Sequence, residues 1–261
     1  MPFAVTAVLV GIGTLTIGLA ASDPTDITPE DCVAIGNNPT PAEECFYGVF
    51  AGQENCCQKA KRGSKSLLDC MNCCDAQCLD DEAVELDCYA LCQKANGSAK
   101  YAEMYTGHPD LQRMRVREIA RHVLDGDDVD SELLIELEWF LVMGHSPSRR
   151  AMAMAIIGDA WSSDAIAEAD FPLIASIFHH TITSPDIHVR AVALTQVANN
   201  GDIPLHKQTA LEDLTALFDD SERIEREIRA AYPNATEDSI QERIDFHHTA
   251  ILKAMETIAV Q

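Results

Sequence analysis

Apolar side chains recur at helical spacing beyond residues 96–98. One face follows the i, i+3, i+4, i+7, i+8 pattern of an amphipathic helix. It comprises Val116, Ile119, Ala120, Val123 and Leu124. A second apolar face lies within residues 133–141, after an acidic turn in which Asp130 or Ser131 is well placed to cap the next helix. The pattern predicts a unit of helix, short acidic turn and helix.

This unit recurs along the chain. Residues 150–154 (RAMAM) align with residues 190–194 (RAVAL), and residues 117–120 (REIA) precede both. Repeats of roughly 33–47 residues with two helices each are typical of α-solenoids. The prediction is three helix pairs at 109–144, 146–182 and 184–219, then helices over 221–232 and 236–260, the last of which caps the open end of the stack.

Residues 184–194 read SPDIHVRAVAL and resemble the HEAT-repeat family, in which an Asp turn precedes a helix carrying Val-Arg and small apolar residues. The resemblance covers residues 109–219 and implies Arg–Asp links between adjacent repeats. The matching positions are Arg117, Arg150, Arg190, Asp110 and Asp186. The middle copy departs from the pattern at Ser148 and Arg149.

The beginning of the chain has a different pattern. Residues 1–22 contain no charged side chain, and residues 3–21 form an apolar run interrupted only by Gly and Thr. Such a segment, followed by small residues, predicts a secretory signal peptide. The run also approaches the length that crosses a bilayer, so an uncleaved N-terminal anchor is the alternative.

Ten cysteines fall between residues 32 and 92, and none follows. An even number in one short stretch behind an export signal predicts disulfides, whereas the same pattern in a cytosolic enzyme would favour a metal. The ten are Cys32, Cys45, Cys56, Cys57, Cys70, Cys73, Cys74, Cys78, Cys88 and Cys92. We therefore divide the chain into a signal peptide or anchor (1–22), a cysteine-rich domain (23–98) and a helical-repeat domain (99–261).

The last four cysteines form two C-x3-C pairs, which place each pair one turn apart on a helix. If residues 66–79 and 83–94 are antiparallel helices, the two faces meet. The pairing is then Cys74 with Cys92 and Cys78 with Cys88. The spacing is similar to that of the α-hairpinin peptides, which implies a disulfide-stapled helical hairpin without implying a shared activity.

The other six cysteines leave their connectivity open. Residues 70–78 also have a spacing compatible with metal or iron–sulfur ligands. The export signal favours disulfides over this alternative.

The charge balance limits the classes of molecule that the chain is expected to bind. The chain has 19 Lys+Arg against 42 Asp+Glu, a net charge of −23, while 47% of its residues are hydrophobic. Nucleic-acid binders need a basic footprint, so the balance excludes nucleic acid and disfavours anionic membranes. A membrane contact is expected only if residues 3–21 remain as an anchor. The acidity favours a basic protein partner.

Two groups of residues are candidate metal ligands. Residues 125–130 with Glu136 are similar in composition to an EF-hand loop, but Val129 and Asp130 stand where an oxygen ligand and Gly are needed. Histidine side chains from several repeats could converge on zinc or copper. They are His179, His180, His188, His206, His247 and His248.

The sequence contains no H-E-x-x-H motif, no Ser in a Gly-rich elbow and no phosphate-binding Gly loop in the repeats. It therefore predicts an all-α, exported, non-catalytic protein-interaction module without a cofactor, either secreted or periplasmic. The alternatives are an exported metal- or calcium-binding protein using His and Asp of the repeats, and an enzyme whose site is assembled across the repeats.

Overall fold

A computed structural model of the chain describes residues 39–48, 55–61, 66–78 and 82–260. Within these residues the protein has thirteen α-helices and no strand; an isolated parallel bridge joins Val129 to Ile166. The all-α prediction is confirmed. The predicted export segment 1–22 and Cys32 lie outside the described residues.

Four helices form the cysteine-rich unit: α1 (Pro41–Tyr47), α2 (Cys56–Lys61), α3 (Leu67–Gln77) and α4 (Glu82–Asn96). Thr40 and Glu43 form a capping box at the start of α1, and the Ser66 hydroxyl accepts the N–H of Asp69 at the start of α3. The helices predicted over 66–79 and 83–94 correspond to α3 and α4.

Disulfides cross-link these four helices, with Cα–Cα separations of 5.3 to 6.0 Å. Cys57 is also disulfide-bonded. The four described pairs are Cys45–Cys78, Cys56–Cys73, Cys70–Cys92 and Cys74–Cys88. Disulfides restrict the unfolded chain and so add to the stability of these short helices.

The predicted pairs Cys74–Cys92 and Cys78–Cys88 are wrong, although they lie on the correct segments. Antiparallel helices bring together residues that are similarly distant from their connection. Cys78 is the C-cap of α3, whereas Cys88 lies more than one turn inside α4, so these two are not level. Instead, Cys70 and Cys74 on α3 face Cys92 and Cys88. The Sγ atoms of Cys74 and Cys92 are only 3.5 Å apart but belong to different disulfides.

Nine helices follow. They are α5 (Ala99–Tyr105), α6 (Pro109–Leu124), α7 (Ser131–Met143), α8 (Pro147–Ser162), α9 (Phe171–Thr181), α10 (Ile187–Asn199), α11 (Lys207–Asp219), α12 (Ser221–Ala231) and α13 (Glu237–Val260). A short 3-10 helix, Glu168–Asp170, precedes α9. The three predicted helix pairs correspond to α6–α7, α8–α9 and α10–α11, and Asp130 caps α7 as expected. The pattern did not indicate α5.

The first helices of successive pairs pack together, α6 against α8 and α8 against α10. The next contact of α10 is with the terminal helix, α13. The cysteine-rich unit lies against the second helices, because α3 contacts both α7 and α9. One continuous cluster of buried apolar side chains extends from Phe46 in α1 to Ile258 in α13. The domain boundary near residue 98 stays a prediction.

Arg150 and Arg190 make equivalent contacts in successive pairs. Arg150 donates to the carbonyl of Gly144 at 3.0 Å and pairs with Asp186 at 2.6 Å. Arg190 likewise donates to the carbonyl six residues before it, at 2.9 Å, and pairs with Glu227. Each arginine therefore ties the turn before its own helix to the following helix pair.

The third aligned arginine behaves differently. Arg117 is exposed. Arg115, two residues earlier, instead pairs with the buried Glu136 at 2.9 Å. Of the three aligned arginines, Arg150 and Arg190 therefore make equivalent contacts and Arg117 does not.

The disulfides are typical of a protein that matures in an oxidising environment. None of the helices in the described segments is long and apolar enough to cross a membrane.

Candidate binding groove

A groove of about 500 Å³ runs beside α10. We call it the α10 groove. Its apolar lining consists of Ala151, Ile187, Ala191, Val192 and Phe246. Its polar lining consists of His188, Tyr232, Ser239, Glu242, Arg243 and His247. The volume is within the range of sites that bind small molecules or peptide side chains.

Capping and packing fix α10 in place. The Asp186 carboxylate accepts the N–H of His188 at 3.0 Å at the start of the helix. Apolar side chains such as Leu194 are buried on the flanks, so the small Ala191 and half-buried Val192 face the groove. Small residues here leave room between α10 and α13.

One large apolar side chain of the lining reaches solvent. Phe246 on α13 lines the groove and is 51% exposed. Met152 on α8 follows the lining residue Ala151 in sequence and is 42% exposed, but it is not part of the lining. Half-exposed aromatic side chains are typical of surfaces that bind other molecules.

Aromatic and cationic groups meet at one end of the groove. The Arg243 guanidinium carbon lies 3.7 Å from the centre of the Tyr232 ring, a cation–π contact. The Tyr232 hydroxyl is 3.4 Å from His188 Nδ1. Tyr232 therefore contacts both Arg243 and His188.

His247 and Arg190 lie deeper. His247 is 4% exposed; burial and the charge of Arg190 lower the pKa of its imidazole to about 4. Arg190 is fully buried, and burial lowers its pKa while the contact with Glu227 opposes that change. At neutral pH, His247 is therefore an uncharged imidazole beside a buried guanidinium.

A second pocket, of about 550 Å³, lies between α5, α6 and α7. At its floor the Glu136 carboxylate accepts two hydrogen bonds of 2.9 Å from Arg115 and one of 2.7 Å from Tyr105. Burial and the bond to Glu136 raise the pKa of Tyr105. These groups satisfy one another, so the pocket presents a structural ion pair rather than free donors or acceptors.

The same contacts separate the candidate calcium ligands. Glu136 bonds to Arg115 and Tyr105, whereas Asp130 caps α7 and Asp127 pairs with His122 at 3.0 Å. The acidic run therefore serves the turn between α6 and α7.

The candidate histidines also serve separate contacts. His180 pairs with Asp69 at 2.6 Å and His179 with Asp213 at 3.6 Å, while His206 caps α11. In the part of the chain that the structure describes, the groups of ligand-type side chains close enough to share an ion are cysteines already in disulfides.

Sequence analysis missed the polar contact between the cysteine-rich unit and the repeats. The Glu138 carboxylate, fully buried on α7, accepts hydrogen bonds from the Ser66 hydroxyl at 2.8 Å and the Leu68 N–H at 3.0 Å, at the start of α3. The Ser176 hydroxyl on α9 donates to Ser66 at 2.8 Å. Burial raises the pKa of Glu138 to about 7. The sequence feature that could have indicated this contact is the presence of two glutamates within the strongly apolar run 133–142.

A second contact lies beside it. His180 on α9 bonds to Asp69 at 2.6 Å and to Asn72 at 2.9 Å, both on α3. Burial acts to raise the pKa of Asp69, but the bond to His180, the charge of His180 and weaker contributions from Ser176 and Lys59 together outweigh it, and the pKa lies below its usual value. Polar groups as well as apolar packing thus fix α3 on the repeats.

No protein-family model, curated protein or solved structure matches this chain.

Proposed function

We propose that this protein is an exported, non-catalytic module that binds another protein through the α10 groove. The observation that supports it best is the groove itself, in which the half-exposed Phe246 lies beside apolar lining residues such as Ile187 and Val192. Amphipathic segments of partner proteins bind in such grooves.

The proposal includes a HEAT-like architecture for residues 109–219. It is supported by the equivalent contacts of Arg150 and Arg190, which tie adjacent helix pairs. Arg150–Asp186 is an Arg–Asp link of the kind that the resemblance implies, whereas Arg190 pairs with Glu227. Helical repeats of this kind offer extended surfaces to partners.

Export is supported by the disulfides and by the uncharged apolar run at residues 3–21. We propose a secreted or periplasmic location, with residues 1–22 as signal peptide or anchor. The net charge of −23 favours a partner whose surface is basic around the segment that enters the groove.

The test is affinity capture from the exported fraction with the oxidised protein, comparing Phe246→Ser with Leu124→Ser. Both side chains are exposed, by 51% and 79%, but only Phe246 lines the groove. We expect a reproducible partner that the Leu124 variant retains and the Phe246 variant loses. Equal retention by both variants, or the absence of any specific partner, would contradict the proposal.

A further inference from the structure

Several polar atoms around the α10 groove lack a hydrogen-bond partner. Among the described residues, no group bonds to the buried Nε of Arg243, to Nδ1 of His247, or to Nε and Nη2 of Arg190. A buried polar atom left without a partner costs about 1–3 kcal/mol, so such atoms are few in native proteins. Arg243 and His247 line the groove, and Arg190 lies outside its lining. The unpartnered atoms of the two lining residues point to a ligand group that the chain itself does not supply.

The charges agree with an anionic ligand. Glu227 is shared between Arg190 and Arg223, and no described carboxylate forms an ion pair with Arg243. Glu242 lines the groove but is exposed to solvent. Arg243 therefore lines the groove without an ion-pair partner among the described residues, in a molecule whose net charge is −23.

The residue types favour a planar oxyanion. The Arg243 guanidinium carbon lies 3.7 Å from the centre of the Tyr232 ring, and a guanidinium presents its N–H donors in a planar fork that matches a carboxylate. His247, 4% exposed, lines the groove. Val192 and Phe246 form an apolar wall, which suits a ligand with an apolar body better than inorganic phosphate.

We propose that the α10 groove binds a carboxylate attached to an apolar group, with Arg243 and His247 contacting the carboxylate and Val192 and Phe246 contacting the apolar group. The carboxylate can belong to a free organic acid or to the C-terminus of a partner protein. Only the second source rests on the proposed function.

Isothermal titration calorimetry with two pairs of probes tests the site. The first pair is phenylacetate and its neutral analogue phenylacetamide; the second is acetyl-Gly-Gly-Phe with a free or an amidated C-terminus. We expect each carboxylate that binds to do so at least about tenfold more tightly than its amide, because a charged hydrogen bond is lost. Binding of phenylacetate alone identifies a free acid as ligand, and tighter binding of the peptide acid identifies a C-terminus.

Variants locate the binding. Arg243→Met should weaken carboxylate binding about tenfold, and Arg243→Lys should weaken it less, because Lys keeps the charge but not the planar edge. Arg226→Met is the matched control, since Arg226 is exposed on α12 outside the groove, and it should bind unchanged. If Arg243→Met folds poorly, the affinity of Arg243→Lys for the carboxylate probes tests whether Arg243 contacts the ligand.

Amides that bind as tightly as acids, no binding of either acid, an unaffected Arg243→Lys variant, or equal competition by inorganic phosphate would each overturn this assignment. The capture experiment with Phe246→Ser tests the partner protein separately, so failure of the carboxylate site and failure of the interaction role can be told apart.

Discussion

At the scale of single residues, Glu138 is the side chain expected to affect the pH dependence of stability most. Its carboxyl group is fully buried where α7 meets the start of α3, and one of its oxygens, Oε2, has no partner among the described residues. The other oxygen accepts bonds from Ser66 and Leu68. The positive end of the α3 dipole favours negative charge here, but burial outweighs it and raises the pKa to about 7.

This pKa predicts how stability depends on pH. The folded protein holds the Glu138 proton more tightly than the unfolded chain, so the contribution of this group is full below the unfolded pKa near 4.5 and is lost as pH rises to about 7. The difference corresponds to about 3 kcal/mol. Glu138→Gln removes this titration. Its free energy of unfolding minus that of wild type, measured with urea, should therefore increase by about 3 kcal/mol as the pH is raised from 5 to 8.

The control is Glu168→Gln, which alters an exposed carboxylate. Its stability difference from wild type should stay constant across this range. The lowered pKa of Asp69 acts in a separate window, because its contribution is lost only as pH falls below the usual Asp range. A Glu138→Gln difference that does not change with pH would show that this carboxyl group does not titrate there.

Residues of this kind are where sequence reasoning is weakest. Glu138 lies 72 positions from Ser66, and no local pattern indicates which distant donor a buried glutamate meets. Arg243 and Tyr232 of the α10 groove were likewise not singled out, because a cation–π contact depends on the packing of α12 against α13. The histidines were identified as candidates, but the metal cluster they suggested does not form among the described residues.

At the scale of helices, the link between pairs is the Arg150–Asp186 contact. Asp186 does two things: it caps α10 and it pairs with Arg150 at 2.6 Å. Asn caps helices about as well as Asp, so Asp186→Asn removes the charge while keeping the cap.

We expect Asp186→Asn to lower the free energy of unfolding by about 1–2 kcal/mol, because the ion pair is largely buried and Arg150 loses its charged partner. Asp130→Asn is the matched control: Asp130 caps α7 and has no ion pair among the described residues. It should change stability by less than about 0.5 kcal/mol. Equal effects of the two substitutions in urea unfolding would mean that the Arg150 contact contributes nothing.

Helices were predictable, whereas their register was not. Periodicity and turn residues located α3, α4 and α6 to α13, since helices have regularly spaced buried positions and most of these begin near a capping residue or Pro. The disulfide register failed because C-x3-C occurs in α3 as both Cys70–Cys74 and Cys74–Cys78. Only the end of α3 at Gln77 selects the first.

At the scale of the whole molecule, the cysteine-rich unit lies on one side of the repeats. α3 packs on α7 and α9, while the α10 groove opens beside α10, α12 and α13. The disulfides thus stiffen helices that contact the second members of the pairs and leave the groove free. The sequence predicted the two kinds of segment but not this contact, which depends on side chains such as Ser66, Ser176 and Glu138.

The most direct measurement of the central claim, that the α10 groove is the binding surface, is site-specific photocrosslinking in the exported fraction. A benzoyl-phenylalanine replaces Phe246 in the groove or Met152 next to the lining residue Ala151, and Leu86 or Met114 elsewhere; all four side chains are exposed. We predict one discrete protein adduct from positions 152 and 246 and none from positions 86 and 114. The same adduct from positions 86 and 114, with none at the groove, would contradict the account.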